Sequence, residues 1–146
     1  MNFFILLALL AGAALPVQAA VNNKLAVYLQ NPLLTTLTSF LVGTAGLLVY
    51  IFAKGISLQQ FALAKNAPPI AWVGGLLGAV YVVSVVNLIP RLGVALTFSL
   101  LIAGQMVLTL VLDHFGFLGV PIKEVNVPRV IGVLLIVVGV VIVQRF

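Results

Sequence analysis

Cysteine is absent from this 146-residue chain, and acidic residues are nearly so: Asp113 and Glu124 are the only two. Without cysteine there is no disulfide framework, thiolate metal site or thiol redox switch. One histidine, His114, and two carboxylates are too few for a metal centre or a catalytic triad within one subunit. No metal and no cofactor are therefore expected. An enzyme is the least expected function, because no nucleophile–base pair stands out. Charge of either sign is scarce: 6% of residues are charged, against about 25% in a soluble domain. So few charges cannot cover a water-facing surface. The seven Lys and Arg are spread singly. They form no phosphate-binding stripe, and no nucleic-acid partner is expected.

What the sequence has in abundance is apolar side chains, 64% of the total. A helix crossing a bilayer needs about 20 mostly apolar residues. Long runs with few or no charges place five spans at about 3–22, 32–53, 69–89, 92–113 and 128–145. The expectation is an all-α integral membrane protein, one five-helix transmembrane domain over residues 1–146, with lipid as its first partner. Asn31-Pro32 reads as an N-cap followed by Pro at the first helical position. Pro68-Pro69 and Pro128 precede the third and fifth runs, and Ile89-Pro90-Arg91-Leu92-Gly93 separates the third from the fourth. The longest connection, Lys54 to Ala67, has room for a short interfacial helix over Ser57–Leu63. The first run resembles a signal peptide with a small-residue cleavage site at Ala19-Ala20. It lacks a basic n-region, however, and the rest of the chain is itself membrane-embedded, so an uncleaved first span is expected.

Loop charges give a weak vote on orientation. Alternating loops assign Lys54, Lys65, Lys123 and Arg129 to the N-terminal side, and Lys24, Arg91 and Arg145 to the other. The excess of a single base barely engages the positive-inside rule. Two readings stay open: a weak N-inside preference settled by a partner, or insertion both ways and pairing with an inverted copy.

Polar residues on the spans are the candidate pathway. Pro16 leaves the Gly12 carbonyl without its helical partner, and Gln18, Asn22 and Asn23 follow. On the second span, Thr35, Ser39, Gly43, Gly46 and Tyr50 share a face. The third carries Gly74, Gly78 and Tyr81 on one face, then Ser84 and Asn87, with Trp72 as an interfacial anchor. On the fourth, Gln105, Thr109 and Asp113 recur every four residues, followed by His114. Gln18, Asn22, Tyr81, Asn87, Gln105 and Thr109 are the expected substrate pathway, and Arg91, Asp113 and His114 the coupling or gating groups. The plainer reading of Asp113 is a helix-end residue, capping or pairing with Arg91 or Lys123 of another subunit. The fifth span has no polar group for a substrate. Its aligned Gly132 and Gly139 suit dimer packing.

The chain resembles the YdcZ-like family of the drug/metabolite transporter superfamily. The resemblance rests on Pro16-Val17-Gln18-Ala19 through Asn22, Ser39-Phe40-Leu41-Val42-Gly43-Thr44, Trp72 through Tyr81, and Ile89 through Gly93, and most specifically on Gly104-Gln105 and Asp113-His114-Phe115-Gly116. The last span is also similar to the final helix of small multidrug resistance proteins, where an aligned glycine pair supports dimerisation. Their essential first-helix Glu has no counterpart here, since nothing acidic precedes Asp113. The resemblance implies a five-helix half-transporter, a multi-pass protein of the bacterial inner membrane. It would carry a small-molecule substrate as a homodimer, in either relative orientation, or as a heterodimer with a related chain. The site would lie at the midplane where two units meet. The competing expectations are a passive small-ion channel made by an inverted homodimer, and a non-transporting membrane subunit.

Overall fold

A computed structural model of the chain describes residues 2–145. Its long helices are α1 (Asn2–Leu29), α2 (Pro32–Ala53), α3 (Val73–Leu92), α4 (Val94–Phe115) and α5 (Val127–Arg145), and no strand occurs among the described residues. Among the described residues, five helical stretches are long and apolar enough to cross a membrane. The fold class is thus the one composition implies. The side chains say the same about the solvent. Leu41, Val42 and Val49 of α2 and Leu134 and Leu135 of α5 are exposed, whereas the buried apolar residues are Ala19, Val85, Val86 and Val140. In water such a surface would drive association, but in hydrocarbon it is solvated by its own kind. The chain divides into two compact units, Met1–Pro90 and Arg91–Phe146.

In the first unit α1 packs on α2. With 28 residues and a rise of 1.5 Å per residue, α1 is about 42 Å long, more than the roughly 30 Å of a hydrocarbon core. The helix therefore runs on beyond the expected span end at 22, through Asn23 and Lys24. Backbone hydrogen bonding does not stop where lipid stops. Asn23 turns its amide back on the helix, Nδ2 donating to the Ala19 carbonyl at 3.1 Å. Pro16 lies inside α1 without ending it; a proline removes one bond to the turn before it and leaves the rest of the helix intact.

Asn31 caps α2 as its sequence suggests. Its side-chain oxygen accepts from the backbone N–H groups of Leu33 at 2.9 Å and Leu34 at 3.2 Å, with Pro32 at the first helical position. At the other end, Lys54 is the C-cap and Gly55 takes φ +63. The Gly55 N–H donates to the Phe52 carbonyl and the Ile56 N–H to the Ile51 carbonyl, the paired bonds of a Schellman cap. The connection then forms 3-10 turns over Leu58–Asn66, capped by Ser57, and again over Pro69–Trp72. The short interfacial helix is thus 3-10 rather than α, as is common in connectors too short to gain from α-helical cooperativity.

The expected separator Ile89–Gly93 is corrected: α3 continues through Pro90 to Leu92. Pro90 falls in the last turn, where its missing N–H costs a single bond back to the previous turn. The stop is Gly93, at φ 78 and ψ 167, a region essentially reserved for glycine. Within this unit the Phe40 ring lies over Gly78, with Cζ 3.7 Å from where a Cβ would stand. The small residue there receives an aromatic edge, while Gly74 faces open space.

The second unit is the α4–α5 hairpin. α4 ends at Gly116, which is left-handed at φ 63 and donates its N–H to the Leu112 carbonyl. A Cβ on Gly116 would meet Ile122 Cγ1 at 2.6 Å. Both conformation and space therefore demand glycine. We expect Gly116→Ala to lower stability by about 1–3 kcal/mol. Gly104→Ala, on a helix with open space around it, should leave stability unchanged or raise it. Thermal unfolding in detergent checks the pair; equal melting of both variants would contradict this reading of the turn.

Candidate functional site

Five hydroxyl groups on these helices bond to their own backbones. Thr35 and Thr36 donate to the Asn31 and Pro32 carbonyls at 3.0 and 2.9 Å. Ser84 donates to Val80, Thr97 to Gly93 and Thr109 to Gln105, at 2.8, 2.6 and 2.7 Å. Each bond reaches four residues back. It lets a polar side chain sit in a lipid-solvated helix without an orphaned group. This is why Thr35 and Thr97 can be fully buried. The Asn87 Nδ2 likewise donates to the Val83 carbonyl at 2.8 Å. The longer amides of Gln18 and Gln105 stand exposed, where they can reach beyond their own helices.

In the first unit Gln18 lines a groove of about 210 Å³ with Ser39, Phe40, Gly43, Thr44 and Leu47 of α2 and Val82 of α3. Three hydrogen-bonding side chains thus share an otherwise apolar cleft. Asn22, one turn on from Gln18, is buried at 5% exposure. Tyr81, next to Val82, and Asn87 are half-buried. The structure therefore gathers Gln18 with two α2 hydroxyls: Ser39, which the sequence places on one face with Gly43, and Thr44, to which it gives no role. Their legible signal was the motif Ser39 to Thr44, whose two ends recur on the groove wall.

In the second unit the fourth-span stripe ends in a clasp. Asp113 forms a salt bridge with Arg129 at the start of α5. Arg129 also donates through a guanidinium nitrogen to the Lys123 carbonyl at 2.9 Å, and the Lys123 N–H donates to the Asp113 carbonyl at 2.8 Å. The Val125 N–H donates to His114 Nδ1 at 3.3 Å. Asn126 caps α5, its side-chain oxygen accepting from the Arg129 N–H at 3.0 Å. Within the chain the ion-pair partner of Asp113 is Arg129, and Lys123 contributes only backbone groups to the clasp. Arg129 turns back onto the end of α4 and the loop. The reason is geometric. The loop from Gly116 to Asn126 returns the chain beside the end of α4, so the first turn of α5 arrives at Asp113. Arg91 is exposed on the last turn of α3.

Among the described residues no group of three His, Asp or Glu side chains is placed to hold a metal. The arrangement offers amide and hydroxyl contacts within an apolar cleft, and a separate ionic clasp at one end of the hairpin.

The family described as "Putative inner membrane exporter, YdcZ" matches residues 3–142. The chain is 28% identical over 149 aligned positions to the inner membrane protein YdcZ of Escherichia coli (strain K12), covering 99% of this chain and 98% of that relative. No solved structure matches it. Five membrane-crossing helices and a match over nearly the whole length lead to one conclusion: the chain belongs to the YdcZ family and is a multi-pass protein of the bacterial inner membrane.

Proposed function

We propose that the chain is a secondary transporter that exports a small neutral or amphipathic molecule, working as a pair of five-helix units that open alternately to either side of the membrane. The observation that carries this reading is the Gln18 groove. At about 210 Å³ it is smaller than the roughly 300–1,000 Å³ typical of a small-molecule site, as half of a site would be. A second copy facing it, or a related chain, would complete the enclosure. Its polar groups are an amide and hydroxyls. No carboxylate occurs before Asp113, so a multivalent cation would find no counter-charge on this unit. The family description as an exporter supports the outward direction. Gln18, Asn22, Tyr81 and Asn87 of the first unit, and Gln105 and Thr109 of the second, are the residues assigned to the pathway. Gly132 and Gly139, where an added Cβ would meet nothing within 4 Å, leave α5 a close-approach face for the second copy.

Proteoliposomes loaded with a radiolabelled panel of neutral metabolites, under an imposed pH or ion gradient, test the proposal. Saturable movement coupled to the gradient is expected. Gln18→Leu should lower its rate about ten-fold, the equivalent of one lost hydrogen bond to the transported molecule. Unsaturable currents would identify a channel instead. Absence of flux under every gradient would favour a subunit that does not transport.

A further inference from the structure

The connection between α2 and α3 carries a second groove, distinct from the Gln18 cleft. It has a volume of about 280 Å³ and apolar walls from Ile51, Ile56, Leu58, Phe61 and Ala64. Ser57 and Gln60 complete the lining. The Schellman cap of α2 builds one side: by bonding the Ile56 N–H to the Ile51 carbonyl at 3.1 Å, it holds both side chains on the same wall. The 3-10 turns of Leu58–Asn66 supply the other. This groove lies where a membrane span has just ended, on a connector whose Phe61, Leu63, Ile70 and Trp72 are all exposed. Apolar and aromatic side chains exposed at that level belong among headgroups and the first acyl carbons.

Charge identifies the occupant. Lys54 follows Ile51 by one turn and Lys65 follows Ala64 directly, so both lysines lie within or next to the stretch of sequence that lines the groove. The Lys54 ammonium stays near the α2 end, 5.8 Å from the Tyr50 ring centroid. Residues 1–112 contain no Asp or Glu. The first unit therefore offers these two lysines no carboxylate partner. An anionic phosphate satisfies the lysines, and a hydrocarbon chain satisfies the groove. The volume is below that of a typical drug-sized site and suits a segment of one acyl chain. We propose that the Lys54–Trp72 connector is a binding site for an anionic phospholipid, its acyl chain in the Ile51–Phe61 groove and its phosphate against Lys54 and Lys65. The site rests on the membrane residence of the chain and not on what it transports.

Trp72, the sole tryptophan, reports from the end of this connector. The full-length protein is placed in nanodiscs containing equal fractions of phosphatidylglycerol and phosphatidylcholine, with bromines on the acyl chains of one lipid at a time. Brominated phosphatidylglycerol is expected to quench Trp72 more strongly. The implied preference should be about five-fold per lysine at low salt, shrinking as salt is added. The double variant Lys54→Gln/Lys65→Gln should quench equally with both lipids. Lys24→Gln, a lysine outside the connector, should keep the preference, and Phe61→Ser should weaken quenching by either lipid. Equal quenching in the unaltered protein, or a preference surviving the double variant, would overturn the site. So would loss of the preference on adding millimolar glycerol phosphate, which would indicate a free-phosphate site. Quenching by either lipid that disappears as copies associate would assign the groove to a second chain and equally overturn it.

Discussion

Asp113→Ala is expected to lower the stability of the α4–α5 hairpin by about 1–3 kcal/mol, a value bracketed by two kinds of ion pair. Exposed pairs contribute at most about 1 kcal/mol, while breaking a fully buried pair costs about 3–5 kcal/mol. The pair here lies between these limits, with Arg129 and Asp113 side chains 30% and 22% exposed. Arg129→Ala should cost more than Asp113→Ala, because the guanidinium also donates to the Lys123 carbonyl. The exchange Asp113→Arg/Arg129→Asp should recover part of the loss, since opposite charges would again face one another while the bond to Lys123 would not return. Thermal unfolding of the four proteins in one detergent measures the coupling. Unfolding of both single variants at the unaltered temperature would mean that the clasp is a surface contact without consequence.

The clasp also changes what Asp113 can be expected to do in transport. A carboxylate held by an arginine, with its backbone carbonyl bound to the returning loop, has a structural task independent of any coupling ion. Gln105 and Thr109 lie on the same α4 stripe but are not part of that clasp. If Asp113→Asn reduces transport in proportion to lost hairpin stability, the effect is structural. Loss of gradient coupling in a fully stable Asp113→Asn protein would instead restore the gating role for this residue.

The helices were more legible in the sequence than their ends. The five spans were legible because lipid imposes one simple requirement: length without charge. The cap at Asn31-Pro32 was legible because its donors lie two and three residues away. Pro90 misled because proline was read as a separator, while its real cost depends on where it falls in a helix. The stop at Gly93 is a backbone conformation that composition does not display. The Asp113–Arg129 pair was illegible for another reason. It joins residues sixteen apart across a loop whose course is set by a left-handed Gly116 packed against Ile122. In the same way, the Gln18 groove unites residues of three helices. Periodicity could place Ser39 and Gly43 on one face of α2, but could not say that Gln18 and Val82 face them.

A transport pathway shared between two chains has a stoichiometry that can be measured. The protein, dispersed to single chains by excess detergent, is reconstituted into vesicles at a falling mean number of copies, down to well below one per vesicle. Transport of a radiolabelled neutral metabolite under a fixed pH gradient is recorded at each dilution. A pathway requiring two chains predicts activity that falls with the square of the copy number in the dilute limit. Activity that falls in simple proportion, so that vesicles holding a single chain transport at the full rate per copy, would contradict it.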